Sequence, residues 1–414
     1  MKQKNLPVVV MFFLLIFVSC QKDMVNEDKT ANNDMEATSI AGARHSYSKK
    51  IEVSNLDNLY GAVNDLSNES ALIMLSPGTY VLNQNYPNGG RIELQKNMAL
   101  VGQPCRPESV IIDASLLPGT SFVPPLNFPS GRTGAIRMGK GNNSIEWLTV
   151  KGNSSTQALS VIDTDLIGDS ECQVTIAHCI VRDGRIGIDI RNAGIASKGR
   201  IINAELTDNE LLENSVQQGQ GIEVQNANGA SGAVIKAKLN GNYVHGNKIG
   251  LRSFNNNANS GSISIASNAD RFDDNGIGLY FSAGLNQGSS TTANNNLLRF
   301  DAHGTSIKNN QGVLPPLPEI TPPCGIYAIG GYAASTGQAS GNKLELNFWG
   351  CNIFNNHGAA DIIAFAAFSQ TAFPSGTNNI VDITLNGVSK TATIISTPSS
   401  PIDATGTNII NVIQ

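Results

Sequence analysis

The chain has 414 residues, of which only 15% are charged and 6% aromatic, against 41 glycines. Its formal net charge of −5 is spread along the sequence with no Lys/Arg cluster, which argues against nucleic acid as a partner. Glycine and the abundant asparagine, in runs such as Asn255-Asn256-Asn257 and Asn294-Asn295-Asn296, close tight turns, so many short strands fit this composition better than helices.

At the N-terminus, Met1-Lys-Gln-Lys4 is a charged segment and Leu6 to Val18 an apolar run too short for a comfortable membrane span. The run ends at Phe17-Val-Ser-Cys20, which resembles a bacterial lipobox, with Phe17 in place of the usual leucine. That resemblance implies a signal peptide over 1–20, a lipid on Cys20, and export to the outer membrane or cell surface. Residues 21–48 are polar and aperiodic and read as a flexible tether, leaving 49–414 as the folded domain. Five cysteines remain: Cys105, Cys172, Cys179, Cys324 and Cys351. Export permits disulfides, and Cys324 and Cys351 lie about one repeat apart, so they are the candidate pair. Cys172 and Cys179 would stand about 23 Å apart on one extended strand, too far to bridge.

Ser54 or Asn55 is a candidate N-cap, and apolar residues at 56, 59, 63 and 66 have helical spacing. A helix there would cover the end of a stack. Ala71-Leu-Ile-Met-Leu75 reads as a strand, Ser76-Pro-Gly-Thr-Tyr80 as a turn into a second, and Arg91-Ile-Glu-Leu94 and Met98-Ala-Leu-Val-Gly102 as two more. These residues resemble the start of the pectin-lyase-like family of right-handed parallel β-helices: a capping helix, a strand, Pro-Gly-Thr-Tyr and a closing Leu-x-Gly. The resemblance spans about residues 50–400. It implies an all-β, single-stranded right-handed parallel β-helix, a fold that hosts lyases, hydrolases, esterases and adhesins alike.

Period-two alternation recurs at Ile145–Val150, Val174–Ala177, Ala233–Leu239, Gly261–Ala266 and Lys343–Leu346. Asn209, Asn242, Asn268 and Asp301 follow several of these strands, and Asn214, Asn247, Asn275, Asn310 and Asn356 precede the next turn. Stacked in register, they would form hydrogen-bonded ladders. Two Pro-rich stretches, 115–129 and 311–323, are inserted loops rather than central strands.

Six segments begin with a small residue and then alternate: Gly187-Ile-Asp-Ile-Arg191, Gly221-Ile-Glu-Val-Gln225, Gly250-Leu-Arg-Ser-Phe254, Gly278-Leu-Tyr-Phe-Ser282, Gly325-Ile-Tyr-Ala-Ile329 and Ala360-Asp-Ile-Ile-Ala364. Their first three intervals, 34, 29 and 28 residues, are those of a solenoid unit. With the residue after each glycine pointing inward, the next points outward. One outward row reads Asp189, Glu223, Arg252, Tyr280, Tyr327, extended back to Arg137 and Ser160. A second reads Arg191, Gln225, Phe254, Ser282, Ile329. Row neighbours stand about 4.8 Å apart, so several sugar units fit along the face.

Two chemistries suit these rows. Asp189 and Glu223 would hold Ca²⁺ against a uronate carboxylate, with Arg191 or Arg252 paired to it, Arg137 and Gln225 contacting substrate, and Tyr280, Tyr327 and Phe254 stacked on sugar rings; a lyase of this fold abstracts the proton beside that carboxylate with a lysine or arginine, which makes Arg191 and Arg252 catalytic candidates. Alternatively, Asp189 and Glu223 would act as an acid and base in glycoside hydrolysis. A non-catalytic structural or adhesive role, with the charges merely supporting one another across strands, fits the same rows. Fragments resembling polygalacturonases occur in order, Asp163-Thr-Asp165, Asp273-Asp274 and Ala302-His-Gly304, but at the wrong spacing and without the closing Arg-x-Lys. Asp270-Arg-Phe-Asp-Asp274 is a second acidic cluster, and His178, His245, His303 and His357 occupy unlike positions in their repeats. The sequence thus points to an exported lipoprotein that engages an acidic polysaccharide, with or without cleavage.

Overall fold

The computed structural model describes residues 46–118, 133–154, 159–164, 169–214, 219–286, 291–311, 324–333, 337–356, 360–369, 376–388, 394–400 and 408–414. All belong to one compact unit, Ser46–Gln414. The signal segment, Cys20, most of the tether, Asp165, His357 and most of both Pro-rich stretches lie outside the described residues.

The expected solenoid is present. Three parallel sheets of 12, 10 and 9 strands run the length of the domain, each strand bonded to its counterparts one coil away. A representative coil places Val234–Asn240 in the 12-stranded first sheet, Tyr243–His245 in the 9-stranded second and Ile249–Asn256 in the 10-stranded third. The chain then returns to the first sheet at Ser262–Asn268. The fold is a single-stranded right-handed parallel β-helix, the hand that parallel crossovers take. Helix α1, Leu56–Asn64, caps its N-terminal end, and Asn55 is the N-cap, accepting 2.8 Å from the Asn58 amide.

Alternation fills the interior with apolar rows from every sheet. Ile188, Ile222, Leu251, Leu279, Ile326 and Ile362 line the third sheet, and Val181, Leu211, Val244, Phe272, Ile307 and Ile353 the second. Phe281, Phe300 and Phe348 follow one another inside, with ring centroids 4.9 and 5.8 Å apart. The corner between first and second sheets is sharper than alternation alone implies. What reads as one strand over 145–150 is two, Asn142–Glu146 and Thr149–Lys151, broken at Trp147 with φ +57°. His178, Asp208 and Ala269 take the same left-handed conformation at this corner.

The residue after the left-handed one turns inward and carries a ladder. Asn209 Nδ2 donates 2.9 Å to Asn242 Oδ1, and Asn242 Nδ2 donates 2.8 Å to Asp270 Oδ1. Asp270, not Asn268, is therefore the third rung. Asn268 and Asp301 remain strand residues, because the left-handed residue must come between strand and rung. The second ladder is the expected one, Asn214 to Asn247 to Asn275 to Asn310 to Asn356, and it ends on Asp361.

Glycine opens the third-sheet segments because of close approach. A Cβ on Gly187, Gly250 or Gly278 would stand 2.6, 2.6 or 2.7 Å from the carbonyl oxygen of Gly221, Gly278 or Gly325 on the next coil. The sixth segment is shifted by one residue: Gly325 is followed by Ile326 opposite Ile362, so Asp361 rather than Ala360 takes the glycine position. Cys324 and Cys351 form no disulfide. Cys324 opens a third-sheet strand while Cys351 sits at the corner before the second sheet, and both are buried thiols. Cys172 and Cys179 are likewise unbridged.

Candidate functional site

The outward row stands in the expected register. Asp189 faces Glu223, Glu223 faces Arg252, Arg252 faces Tyr280 and Tyr280 faces Tyr327. Beside it run Arg191, Gln225, Phe254, Ser282 and Ile329. Toward the N-terminus the row continues differently. Arg137 pairs with Asp163, and Asp163 with Asp189, so Asp163 replaces Ser160 in the row and Ile162, not Leu159 just before Ser160, is the inward residue beside it. Glu93 precedes Arg137. The signal for Asp163 was in the sequence: Ile162-Asp163 repeats the apolar–acid step of Ile188-Asp189.

The row does not lie open to solvent. Asp189, Glu223 and Tyr280 have no exposed area, and Arg137, Asp163, Arg191, Gln225, Arg252, Phe254 and Tyr327 are buried too. This corrects the expectation of an exposed face. At the aromatic end the reason is visible: at inter-strand spacing each side chain covers its neighbour. The Arg252 guanidinium lies 4.5 Å from the Phe254 ring centroid and 5.2 Å from that of Tyr280. Tyr280 stacks on Tyr327 at 5.5 Å, and Tyr327 packs on Phe365 at 5.8 Å. Ile249, Ile277 and Cys324 join them in a second apolar cluster outside the main core. The tyrosines are packed residues rather than an exposed platform.

The polar end is an internally paired chain. Lys140 Nζ lies 2.7 Å from Glu93 Oε1, and Arg137 Nε 3.3 Å from Asp163 Oδ1. Ser160 Oγ donates 3.5 Å to Asp189 Oδ2. Gln225 Nε2 donates to Asp189 Oδ1 at 3.3 Å and also to Glu223 Oε1. Arg252 Nη1 is 3.7 Å from Glu223 Oε2. Burial pushes the Glu93 carboxyl up, but Lys140, Arg137 and Arg91 outweigh it and hold it below the usual carboxylate range.

This donor set does not fit Ca²⁺, which takes six to eight oxygens. An amide N–H stands between the Asp189 and Glu223 carboxylates and a guanidinium on the far side of Glu223. Among the described residues no group of three or more His, Cys, Asp and Glu side chains is placed to hold a metal ion. The acidic cluster at 270–274 is structural as well. Asp270 accepts from Asn242 and, at 2.6 Å, from Ser267 Oγ, while Asp273 accepts from Ser306 Oγ and the Lys308 amide. Burial pushes the Asp270 carboxyl up to about 6, against the pull of those hydrogen bonds.

The polygalacturonase-like fragments do not converge. Asp163 lies in the third sheet, Asp273 at the turn after the second, and His303 at the end of a first-sheet strand. The histidines also keep apart: His178 stacks on Trp147 at 3.9 Å, His245 on Tyr243 at 4.0 Å, and His303 beside Trp349 at 6.1 Å.

Neither a family model nor a curated protein sequence matches this chain. Among solved structures, pectate lyase Pel9A is similar with a TM-score of 0.40 and 12% identity, over 89% of this chain and 82% of the other. The Azotobacter vinelandii mannuronan C-5 epimerase AlgE4 A-module gives 0.39 and 13%, over 88% and 95%. The Dettilon tailspike protein gives 0.33 and 10%, over 83% and 68%. At these identities the likeness concerns the path of the chain and carries no activity across.

Proposed function

We propose that this is an exported, lipid-anchored β-helix that binds an acidic polysaccharide along its third sheet. The observation that carries the reading is the registered run of Arg137, Asp189, Glu223 and Arg252 into Tyr280 and Tyr327, flanked by Arg191, Gln225 and Phe254. Guanidinium groups suit uronate carboxylates, and tyrosine faces suit sugar rings. Because the row is buried, binding there requires side chains that now pack on one another, such as Arg252, Tyr280 and Tyr327, to separate. The anchor rests on the sequence at Cys20.

A second, non-catalytic structural reading is favoured by the pairing itself. Gln225 and Arg252 already occupy the carboxylates that an acid–base mechanism would use. In that reading the gradient from charged to aromatic stabilises the stack.

Affinity electrophoresis against acidic and neutral polysaccharides separates the two. The binding reading expects retardation by an acidic polymer that weakens at least about tenfold in folded Arg191→Gln and Tyr327→Leu variants. Equal retardation of wild type and variants, or none on the whole panel, rejects it. Cleavage is read separately, as the ultraviolet absorbance of an unsaturated uronic product for a lyase and as new reducing ends for a hydrolase. Absence of both signals on every polymer that binds removes the catalytic roles of Asp189, Glu223, Arg191 and Arg252.

A further inference from the structure

We propose that the outer face of the first sheet, over its last coils, is a separate binding site for a neutral saccharide. This face lies on a different sheet from the row above and uses none of its residues.

Three outward rows meet there in register. Arg299, Glu345, Asp382 and Asn411 form the first; Asp301, Asn347 and Thr384 the second; His303, Trp349 and Asn386 the third. The first two rows contribute Arg299, Glu345, Asn347, Asp382, Thr384 and Asn411 to a groove of about 710 Å³, and apolar residues of the last strand, among them Ile410 and Ile413, complete its lining. Trp349 follows two positions after Asn347 on the same strand and the same face, and is 39% exposed. Its ring runs parallel to that of His303, with 8° between the planes. A partly exposed indole on the same face as this groove brings apolar ring surface for the C–H side of a sugar ring, and the polar side chains of the groove bring hydrogen-bonding groups for its hydroxyls.

Charge decides which sugar. Arg299 pairs with Asp301 at 2.7 Å, and Lys343 with Glu345 at 2.5 Å and Asp382 at 3.4 Å. Two cations thus meet three carboxylates, and no positive charge is left over to attract a uronate or phosphate. The polar array is also ordered without ligand. Asn347 Nδ2 donates 2.7 Å to Asp301 Oδ1, and Asn411 Nδ2 donates 2.8 Å to Asp382 Oδ1. A neutral polyhydroxyl ligand therefore meets groups already in place, at small ordering cost.

The chain has two tryptophans, Trp147 and Trp349, which makes the site spectroscopically addressable. The full chain is titrated with neutral oligosaccharides of glucose, xylose, mannose and galactose backbones while tryptophan fluorescence is followed. At least one should give a saturable change that persists in Trp147→Phe, and calorimetric binding of the same sugar should be lost in Trp349→Ala and weaken at least about tenfold in Asn347→Ala. The same affinity should be untouched by Arg191→Gln, which reports on the third sheet instead, so the two readings fail independently. The proposal is overturned if no neutral oligosaccharide changes the fluorescence, or if binding survives Trp349→Ala. It is equally overturned if sedimentation finds a wild-type dimer that Trp349→Ala dissociates, since the face would then belong to a second copy of the chain.

Discussion

Arg252 and Glu223 face each other on adjacent third-sheet strands, Nη1 3.7 Å from Oε2, with both side chains buried. A buried pair adds little net stability, yet losing one partner strands the other charge away from water. Arg252→Met should therefore destabilise the fold by about 3–5 kcal/mol, and adding Glu223→Gln should recover most of that. Urea unfolding of the single and double variants measures both. Equal stability of single variant and wild type would mean the pair is hydrated.

The glycine column gives a prediction of opposite signs for one kind of substitution. Gly250→Ala brings a Cβ to 2.6 Å from the Gly278 oxygen and 3.0 Å from Asn275 Nδ2, in a stack where neither can yield. A loss of about 2–4 kcal/mol is expected. Gly61, inside helix α1, has open space around its Cβ position, so Gly61→Ala should gain about 0.5–1 kcal/mol. Thermal unfolding of the two variants side by side tests the contrast.

Asn242 is the central rung of its ladder. It accepts from the Asn209 amide at 3.1 Å and side chain at 2.9 Å, and donates 2.8 Å to both the Leu206 oxygen and Asp270 Oδ1. Asn242→Ala leaves several buried groups unpaired and should cost about 3 kcal/mol or more. Asn242→Asp keeps the shape but sets a second carboxyl against Asp270, whose own carboxyl is already pushed up to about 6. That variant should lose additional stability as pH rises above this range. Denaturant midpoints at acidic and alkaline pH would show the difference, and a pH-independent loss would contradict it.

Glu146, on the outer face of the first sheet near the N-terminal end, is pushed up by burial to about 7 from an ordinary 4.5, with the Ser144 hydroxyl opposing the shift. The folded state then keeps a proton that the unfolded chain has released. Its stability contribution is unpenalised below the unfolded value and declines as pH rises from 4.5 to about 7. Glu146→Gln removes this penalty. It should leave stability little changed near the acidic limit of that window and raise it on the order of 2–3 kcal/mol at about pH 8. Melting temperatures of the two proteins across that range should diverge, and parallel curves would refute the assignment.

Much of the coil was legible because strands have a side-chain period of two and stacked coils repeat. The Ile or Leu after each glycine enters the core row, and the residue after it joins the outward row, from Asp189 through Tyr327. The departures in register were local, whereas the burial of the row was not. Trp147 alternates smoothly in sequence, yet its left-handed backbone turns one strand into two. Asn268 looks like a rung, but Ala269 takes the left-handed position and passes the role to Asp270. Asp163, not Ser160, takes the row position in a coil whose start no glycine marks.

By itself the sequence determined the architecture: glycine where coils approach too closely for a Cβ, asparagine where a ladder needs both donor and acceptor, and alternation that divides inside from outside. It could not decide what becomes of the outside. Only the tertiary structure shows Gln225 bridging Asp189 and Glu223, Arg252 paired with Glu223, all of them buried, and Trp349 left partly exposed on the face that carries the groove. Outward direction is a property of one strand, whereas exposure depends on every neighbour in the stack, and that is fixed only when the coils assemble.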